Sequence, residues 1–492
     1  MAPAHRRHEV RYGLGVTVRP HPTFPHPHRL LPPEPALREV ALDLYRQVAD
    51  LPLISPHGHV DAAVLAEDKP YPGPVELLVR PDHYVLRLLH AHGVPFARLG
   101  FEARGEPGPV AEPREVWHQL CRYWPVFRGT VMRLWLEDEL ASLFGIDKPL
   151  TESTADETYD CIAGQLSAPE FRPRALYRRF GLEVLATTDS PLDDLSAHKA
   201  LRDDPTWDGK VVPTFRPDML VDPSRTSRWG EQLDVLADVS GIDTTTYRGY
   251  IAALESRRAA FQALGATATD HGHLSPHALD LSEREASRIY DRLRLGPHDP
   301  VDTATFSAHM IMEMARMSAE DGLVMQLHPG VWRSHDTVAL TRYGPDLGAD
   351  FPVVTGYTVG LQRLLDRFGS HPGFRMVAFT VDETAFSREL APMASYYPGL
   401  WLGAPWWFLD SPDAMARFWG AITESAGFGK SAGFVDDTRA YCSIPARHDL
   451  ARRAHCAFLA RLVAEHRLDH EDAAELAADF AYRLPKAAFH LG

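Results

Sequence analysis

From Leu37 the run LREVALDLYRQVADL places apolar residues at helical spacing, and the short apolar run LPLISP (51–56) leads from it into His57-Gly58-His59. This order predicts a helix, a strand and then a polar motif at the strand's end. Ahead of it, the stretch from Val18 to Pro35 is rich in proline and has no period, which predicts an extended arm on the surface. After the histidines the spacing turns helical and aromatic-rich, as in DHYVLRLLHAHGV, REVWHQLCRYWPVF and TVMRLWLEDELASLFG, so residues 65–180 are expected to form a helical insertion.

From Leu182 a repeating order sets in, with short apolar runs that end in polar residues and are followed by amphipathic helical patterns. The runs are LEVLATT (182–188), KVVPTFR (210–216), GATATD (265–270), LVMQLH (323–328), RMVAFTV (375–381), LWLGAP (400–405) and SAGFVDD (431–437). With residues 51–56 they make eight strand candidates separated by helices, the number that closes a parallel sheet on itself. No G-x-G-x-x-G follows the first strand, which argues against an open doubly wound sheet. The expected fold is therefore α/β, a (β/α)8 TIM-type barrel over 51–492 with the insertion after its first strand, preceded by an arm and leading helix over 1–50.

Composition narrows the partners. The 51 basic and 66 acidic residues give a formal charge of −15, which repels nucleic acid and anionic membrane surfaces. No uncharged apolar run is long enough to span a bilayer, and no apolar segment follows the charged first residues, so a cytoplasmic protein is expected. Cys121, Cys161, Cys442 and Cys456 lack C-x-x-C spacing and read as reduced thiols. An acidic protein that binds an anionic metabolite needs a local arginine cluster to do so. The apolar face of DHEDAAELAADFAYRL could pack inside the chain or against a second copy in a homo-oligomer.

Chemistry in parallel barrels sits at the carboxyl ends of the strands. Residues two apart on an extended strand point to one side, so His57 and His59 can direct both imidazoles to one point. His328, closing LVMQLH, and Asp437, closing SAGFVDD, are placed to complete the set as metal ligands. Imidazole nitrogens with one carboxylate suit a single divalent ion, zinc first, with manganese, iron or nickel as alternatives. Asp270-His271 ends the fourth run and could hydrogen-bond to this shell or serve structure alone.

SPHGHVD, DHYVLR, TTDSPLDDL, VVPTFRPD, TDHG, QLHPGVWR, WWF and DDTRAY, in this order, resemble uronate isomerase, also called glucuronate isomerase, of the amidohydrolase superfamily. The resemblance runs from about Leu37 to the C-terminus. It implies a (β/α)8 barrel and interconversion of D-glucuronate with D-fructuronate and of D-galacturonate with D-tagaturonate. It also implies Asp437 and Tyr84 for the proton shuttle, with His83 beside Tyr84, if the helical insertion folds over the barrel mouth. The group that takes the carbon-bound proton is left open.

A substrate carboxylate calls for a planar two-pronged donor, which arginine supplies. Arg216 and Arg439 lie at strand ends, Arg333 lies just past the fifth strand, and Arg87 lies one helical turn from His83. Structural ion pairs are the alternative for each, with Asp218 near Arg216 and Asp436 near Arg439. Trp406 and Trp407 could wall a sugar pocket, strand alternation turning one in and the other out. The loop reads DDTR where relatives usually show Thr-Asp-Ser-Arg, so Asp436 adds a carboxylate that leaves the site unaltered only if it points outward. Two other functions compete on this scaffold: a single-metal hydrolase and a noncatalytic sugar-acid binding protein. The absence of lysine from the strand ends favours one metal over two.

Overall fold

Pro35 opens the first helix, α1 (Pro35–Val48), where a missing N–H costs nothing, and Ala41, Leu44 and Val48 bury one face of it against the long helix Ile444–Ala464. The computed structural model describes residues 24–105, 108–296 and 299–492, so part of the proline-rich arm, residues 18–23, lies outside the described residues.

Strands β1 (Leu53–Ser55), β2 (Leu182–Ala186) and β3 (Lys210–Val212) pair in parallel, with Ile54 opposite Val184 and Val184 opposite Lys210. Between β1 and β2 the described chain is helical, including Val131–Phe144 and Ala155–Leu166, and buries Trp117, Trp124, Phe127 and Trp135. Strands β4 (Ala268–His271) and β5 (Val324–Leu327) open a second parallel sheet. The chain then makes a small antiparallel pair, β6 (Val331–Trp332) with β7 (Phe351–Pro352), before β8 (Met376–Ala378) and β9 (Leu400–Leu402) complete the sheet in the order β4-β5-β8-β9. β1, β4, β5 and β8 are buried along their whole length, as expected of parallel strands covered on both faces.

The fold is thus mixed α/β with two parallel sheets, and ladder pairing does not close them into one barrel. Single bridges link them instead: Phe215 pairs with Thr269, and Ser431 pairs with Leu402. The N–H of His59 donates to the Thr438 carbonyl at 2.9 Å, bringing the 431–438 segment beside β1. The eighth expected strand, 431–437, is the main departure. Gly433 (φ 71°) and Asp437 (φ 41°) leave the extended region, so the segment cannot sustain a ladder. The β6–β7 pair carries too few residues to stand out in the apolar pattern.

Apolar residues from β1 to β6 and from β8 meet in one cluster that holds Ile54, Val184, Val212, Ala268, Val324 and Val377, and Trp401 of β9 packs against it. Phe489 and Leu491 belong to the same cluster. They sit by the amino ends of the strands, where the Lys210 amine donates to the Leu491 carbonyl at 3.4 Å and the Arg375 guanidinium to that of Ala487. The polar residues gather at the opposite, carboxyl ends.

Candidate metal and substrate site

β1 runs out at Ser55, and Pro56 carries the chain on to His57 and His59. Their Nε2 atoms lie 3.3 and 3.0 Å from the same oxygen, Oδ1 of Asp437. A tetrahedral ion with ligand bonds of about 2.1 Å requires donor atoms about 3.4 Å apart, so these separations fit three corners of one shell. Asp437 reaches the point from a left-handed backbone conformation, φ 41°. The Asp437 carboxyl is buried, yet His57 and His59 hold it well below the usual carboxylate range. Burial lowers His59 to about 4, outweighing the pull of Asp437, so its imidazole is neutral and has a lone pair to give. At His57 burial also lowers the pKa, but the Asp270 and Asp437 carboxylates outweigh it and the net shift is upward.

His328 stacks on His57, ring centroids 4.7 Å apart, and the Phe379 ring stacks on His328 at 3.9 Å. Its Nδ1 is 2.7 Å from Oδ1 of Asp270, whose second oxygen lies 3.1 Å from Nη1 of Arg216. A carboxylate on one ring nitrogen leaves the other as the electron-pair donor, a pattern common behind metal-bound histidines. His57, Asp270 and His328 form a second group close enough to share an ion. Nε2 of His328 and Nδ1 of His57 are buried with no hydrogen-bond partner among the described residues, and Oδ1 of Asp437 is buried against the two imidazole nitrogens alone. Such orphaned atoms are costly unless something binds them, and with this donor set a divalent cation fits.

Above the histidines is a cavity with Asp437 and His59 on its floor. Its walls come from Trp406 and Trp407, and from His83 and Tyr84 on the helix His83–Ala91. Asp82 caps that helix, accepting the N–H groups of Tyr84 at 2.8 Å and Val85 at 3.4 Å. Both tryptophans line the cavity, against the alternation expected from an extended strand. The cause is local: Trp407 (φ 37°) and Phe408 (φ 39°) are left-handed, so the chain turns here instead of continuing as a strand.

The four arginines separate. Arg333 lines the cavity, stands 5.3 Å over the Trp407 ring and has no ion pair among the described residues. Arg439 also lines it, and is paired with Asp346 at 3.0 Å rather than with Asp436. Arg216 lies beneath, held by Asp218 at 3.0 Å and Asp270, and does not reach the cavity wall. Arg87 packs outside the wall, 4.4 Å over the Phe408 ring. Asp436 is fully buried and turned toward His448 at 3.1 Å, away from the cavity.

Two cavity residues escaped the sequence reading. Asp410 accepts the Tyr84 hydroxyl at 2.8 and 2.9 Å, and Arg447 approaches Asp410 at 3.4 Å and Asp82 at 3.6 Å. Burial pushes the Asp410 carboxyl up to about 6, against the opposing charge of Arg447. Tyr84 and Asp410 are 326 positions apart, so no spacing rule links them.

Parallel strands whose carboxyl ends bring histidine and aspartate to one point, beneath a polar, aromatic-walled cavity, define an α/β enzyme whose site has a donor set suited to a metal ion. The family model for glucuronate isomerase matches residues 36–489. A uronate isomerase of Rhizorhabdus wittichii is 50% identical over 466 residues, which is 95% of this chain and 98% of that protein. The crystal structure of glucuronate isomerase from Caulobacter crescentus superposes with a TM-score of 0.92 at 45% identity, covering 95% of this chain and 97% of that one. That of uronate isomerase from Thermotoga maritima gives 0.88 at 28% identity, with 95% and 99% covered. The chain belongs to the glucuronate isomerase family.

Proposed function

We propose that this enzyme interconverts D-glucuronate with D-fructuronate, and D-galacturonate with D-tagaturonate, by metal-assisted proton transfer in the cavity above His57 and His59. The observation that carries the reading is the pairing of a cation-ready floor with an unpaired guanidinium, Arg333, in the wall of the same cavity. A uronate has the matching halves, adjacent carbonyl and hydroxyl oxygens at one end and a carboxylate at the other.

His57, His59, His328 and Asp437 would hold one divalent ion, zinc first, with manganese, iron or nickel as alternatives. When bound, it polarises the carbonyl as a Lewis acid. Asp437 also faces the cavity, where its carboxylate can take a proton from a substrate hydroxyl as the sugar ring opens and return it later. A positioned acid–base group of this kind contributes about 10² to 10⁴ in rate. Arg333 receives the substrate carboxylate through its two-pronged face. Arg439 assists once it is drawn from Asp346, and Trp406 gives the sugar a flat apolar wall. His83 and Tyr84 cover the cavity and keep bulk water from the reacting carbons. Arg216 acts through Asp270, orienting His328, and Arg87 supports the wall from behind through Phe408.

In this reading the two sheets and the 431–438 segment form one (β/α)8 barrel over 51–492, supported by the bridges at Phe215 and Ser431. Residues 65–180 are its insertion and residues 1–50 its leading arm and helix. Among the described residues no helix is long and apolar enough to cross a membrane. The single-metal hydrolase and the binding protein are not favoured, given the family.

A proton NMR time course in deuterated water, with each uronate and metal-replete protein, tests the reading. Ketose signals should appear with both sugar acids, and their absence with both would overturn it.

A further inference from the structure

The Tyr84 hydroxyl is spoken for on two sides. It donates its proton to Asp410, 2.8 and 2.9 Å from the two carboxylate oxygens, and accepts the Phe408 N–H at 2.9 Å. A phenol has one proton, so what Tyr84 can still offer a sugar is an acceptor lone pair. The backbone that sets this polarity is unusual, because Trp407 and Phe408 both adopt left-handed φ to aim the Phe408 N–H at the phenol oxygen. Behind Asp410, Arg447 bridges to Asp82, the residue that caps the helix bearing Tyr84. Arg447 is itself held by Ser443 at 2.6 Å and stacked 3.8 Å over the Trp135 ring, so neither end of the chain of contacts is loose. Asp410 and Tyr84 both line the cavity that holds Asp437.

We propose that Asp410 is a positioning residue for the isomerisation, one that fixes Tyr84 as a proton acceptor and receives the phenol's proton when a sugar hydroxyl hands Tyr84 its own. The step balances. The sugar O–H bond breaks and a Tyr84 O–H bond forms, while the original Tyr84 O–H bond breaks and an Asp410 O–H bond forms. One negative charge passes from Asp410 to the sugar oxygen, and the reverse shift restores the resting state. Tyr84 alone is a poor base for this work, since burial and the Asp410 charge raise its pKa well above the ordinary phenol value. With Asp410 behind it, no phenolate has to form. The relay serves a hydroxyl on the lid side of the cavity, leaving Asp437 to the oxygens over the metal floor. This inference rests on the isomerase reading above.

The test is a double-mutant cycle on D-glucuronate turnover with wild type, D410N, Y84F and D410N/Y84F, each checked for metal content and a cooperative melt. Each single change should lower kcat by about 10²-fold or more with KM held within about threefold, the signature of an interaction made in the transition state. The double variant should be no worse than the poorer single one, because both remove the same relay. Losses that multiply, or a rise in KM at unchanged kcat, would overturn the inference. If D410N does not fold, D410E keeps the charge beside Arg447 but displaces the carboxylate. It should lose about tenfold or more in kcat, and wild-type kcat in D410E would likewise overturn the inference. Absence of turnover by the wild type on either uronate is a different result, since it removes the isomerase reading itself and this inference with it.

Discussion

Arg333 offers the sharpest test of how the cavity recognises a sugar acid. It lines the cavity, has an aromatic ring beneath it and no ion pair among the described residues, so nothing competes for its two-pronged face. Arg439, by contrast, must first give up Asp346. Hydrogen bonds between charged partners contribute about 1.5 to 3 kcal/mol each, so loss of a bidentate pair costs about 3 to 6 kcal/mol. At about 1.4 kcal/mol per decade, that is a fall of about 10² to 10⁴ in affinity for the sugar acid. Arg333→Met keeps most of the side-chain length and packing on Trp407 while removing both prongs. Arg333→Lys keeps the charge but not the fork, and should recover only part of the loss. The assay is kcat/KM for D-glucuronate, set against competitive inhibition by neutral D-glucose, which lacks the carboxylate. The loss should appear with the sugar acid while the glucose inhibition constant stays within about threefold, well under one decade of affinity. Equal losses for the two sugars, or a kcat/KM for D-glucuronate unchanged in R333M, would refute the assignment.

Other outcomes follow from the same geometry. Asp437→Asn should lower turnover by about 10² to 10⁴-fold while the metal-free variant melts with metal-free wild type; near-wild-type turnover would remove Asp437 from the chemistry. Stripping the protein with a chelator should abolish turnover and lower the melting temperature, with zinc restoring both, because an ion bound only by the folded state stabilises it by mass action. Full activity in metal-free protein would contradict the ligand assignment. Phe489→Ala should destabilise the fold by about 3 to 5 kcal/mol in urea titration, as expected of a fully buried phenylalanine, and a shift under about 1 kcal/mol would show that the interior cluster does not depend on it.

How far the site could be read from the chain depended on how local each cue was. His57 and His59 meet at one point, as their two-residue spacing suggested, although β1 ends at Ser55 and the motif lies just beyond the strand. Asp437 joins them although its own segment is not a ladder strand, since a left-handed residue after SAGFVD carries the carboxylate back over β1. The same kind of turn defeated the alternation argument at Trp406 and Trp407. Arg216 and Arg333 look alike in sequence, each a cation just past a strand. Only the fold separates them, by placing Asp218 and Asp270 around the first and a tryptophan ring beneath the second. Asp410 and Arg447 were invisible because their partners are brought in from a remote helix. The parallel α/β character was legible in the run of buried strands, whereas pairing by single bridges leaves no periodic trace.

The placement of Phe489 and Leu491 has a consequence for how the molecule is made. They share an apolar interior with Ile54, so the hydrophobic centre begun by the first strand stays open at its floor until Phe489 and Leu491 have left the ribosome. Early strands must wait, with valine and isoleucine exposed, for residues synthesised long afterwards. Nascent chains stalled short of Phe489 lack that floor, and they are the species that chaperones and proteases would meet.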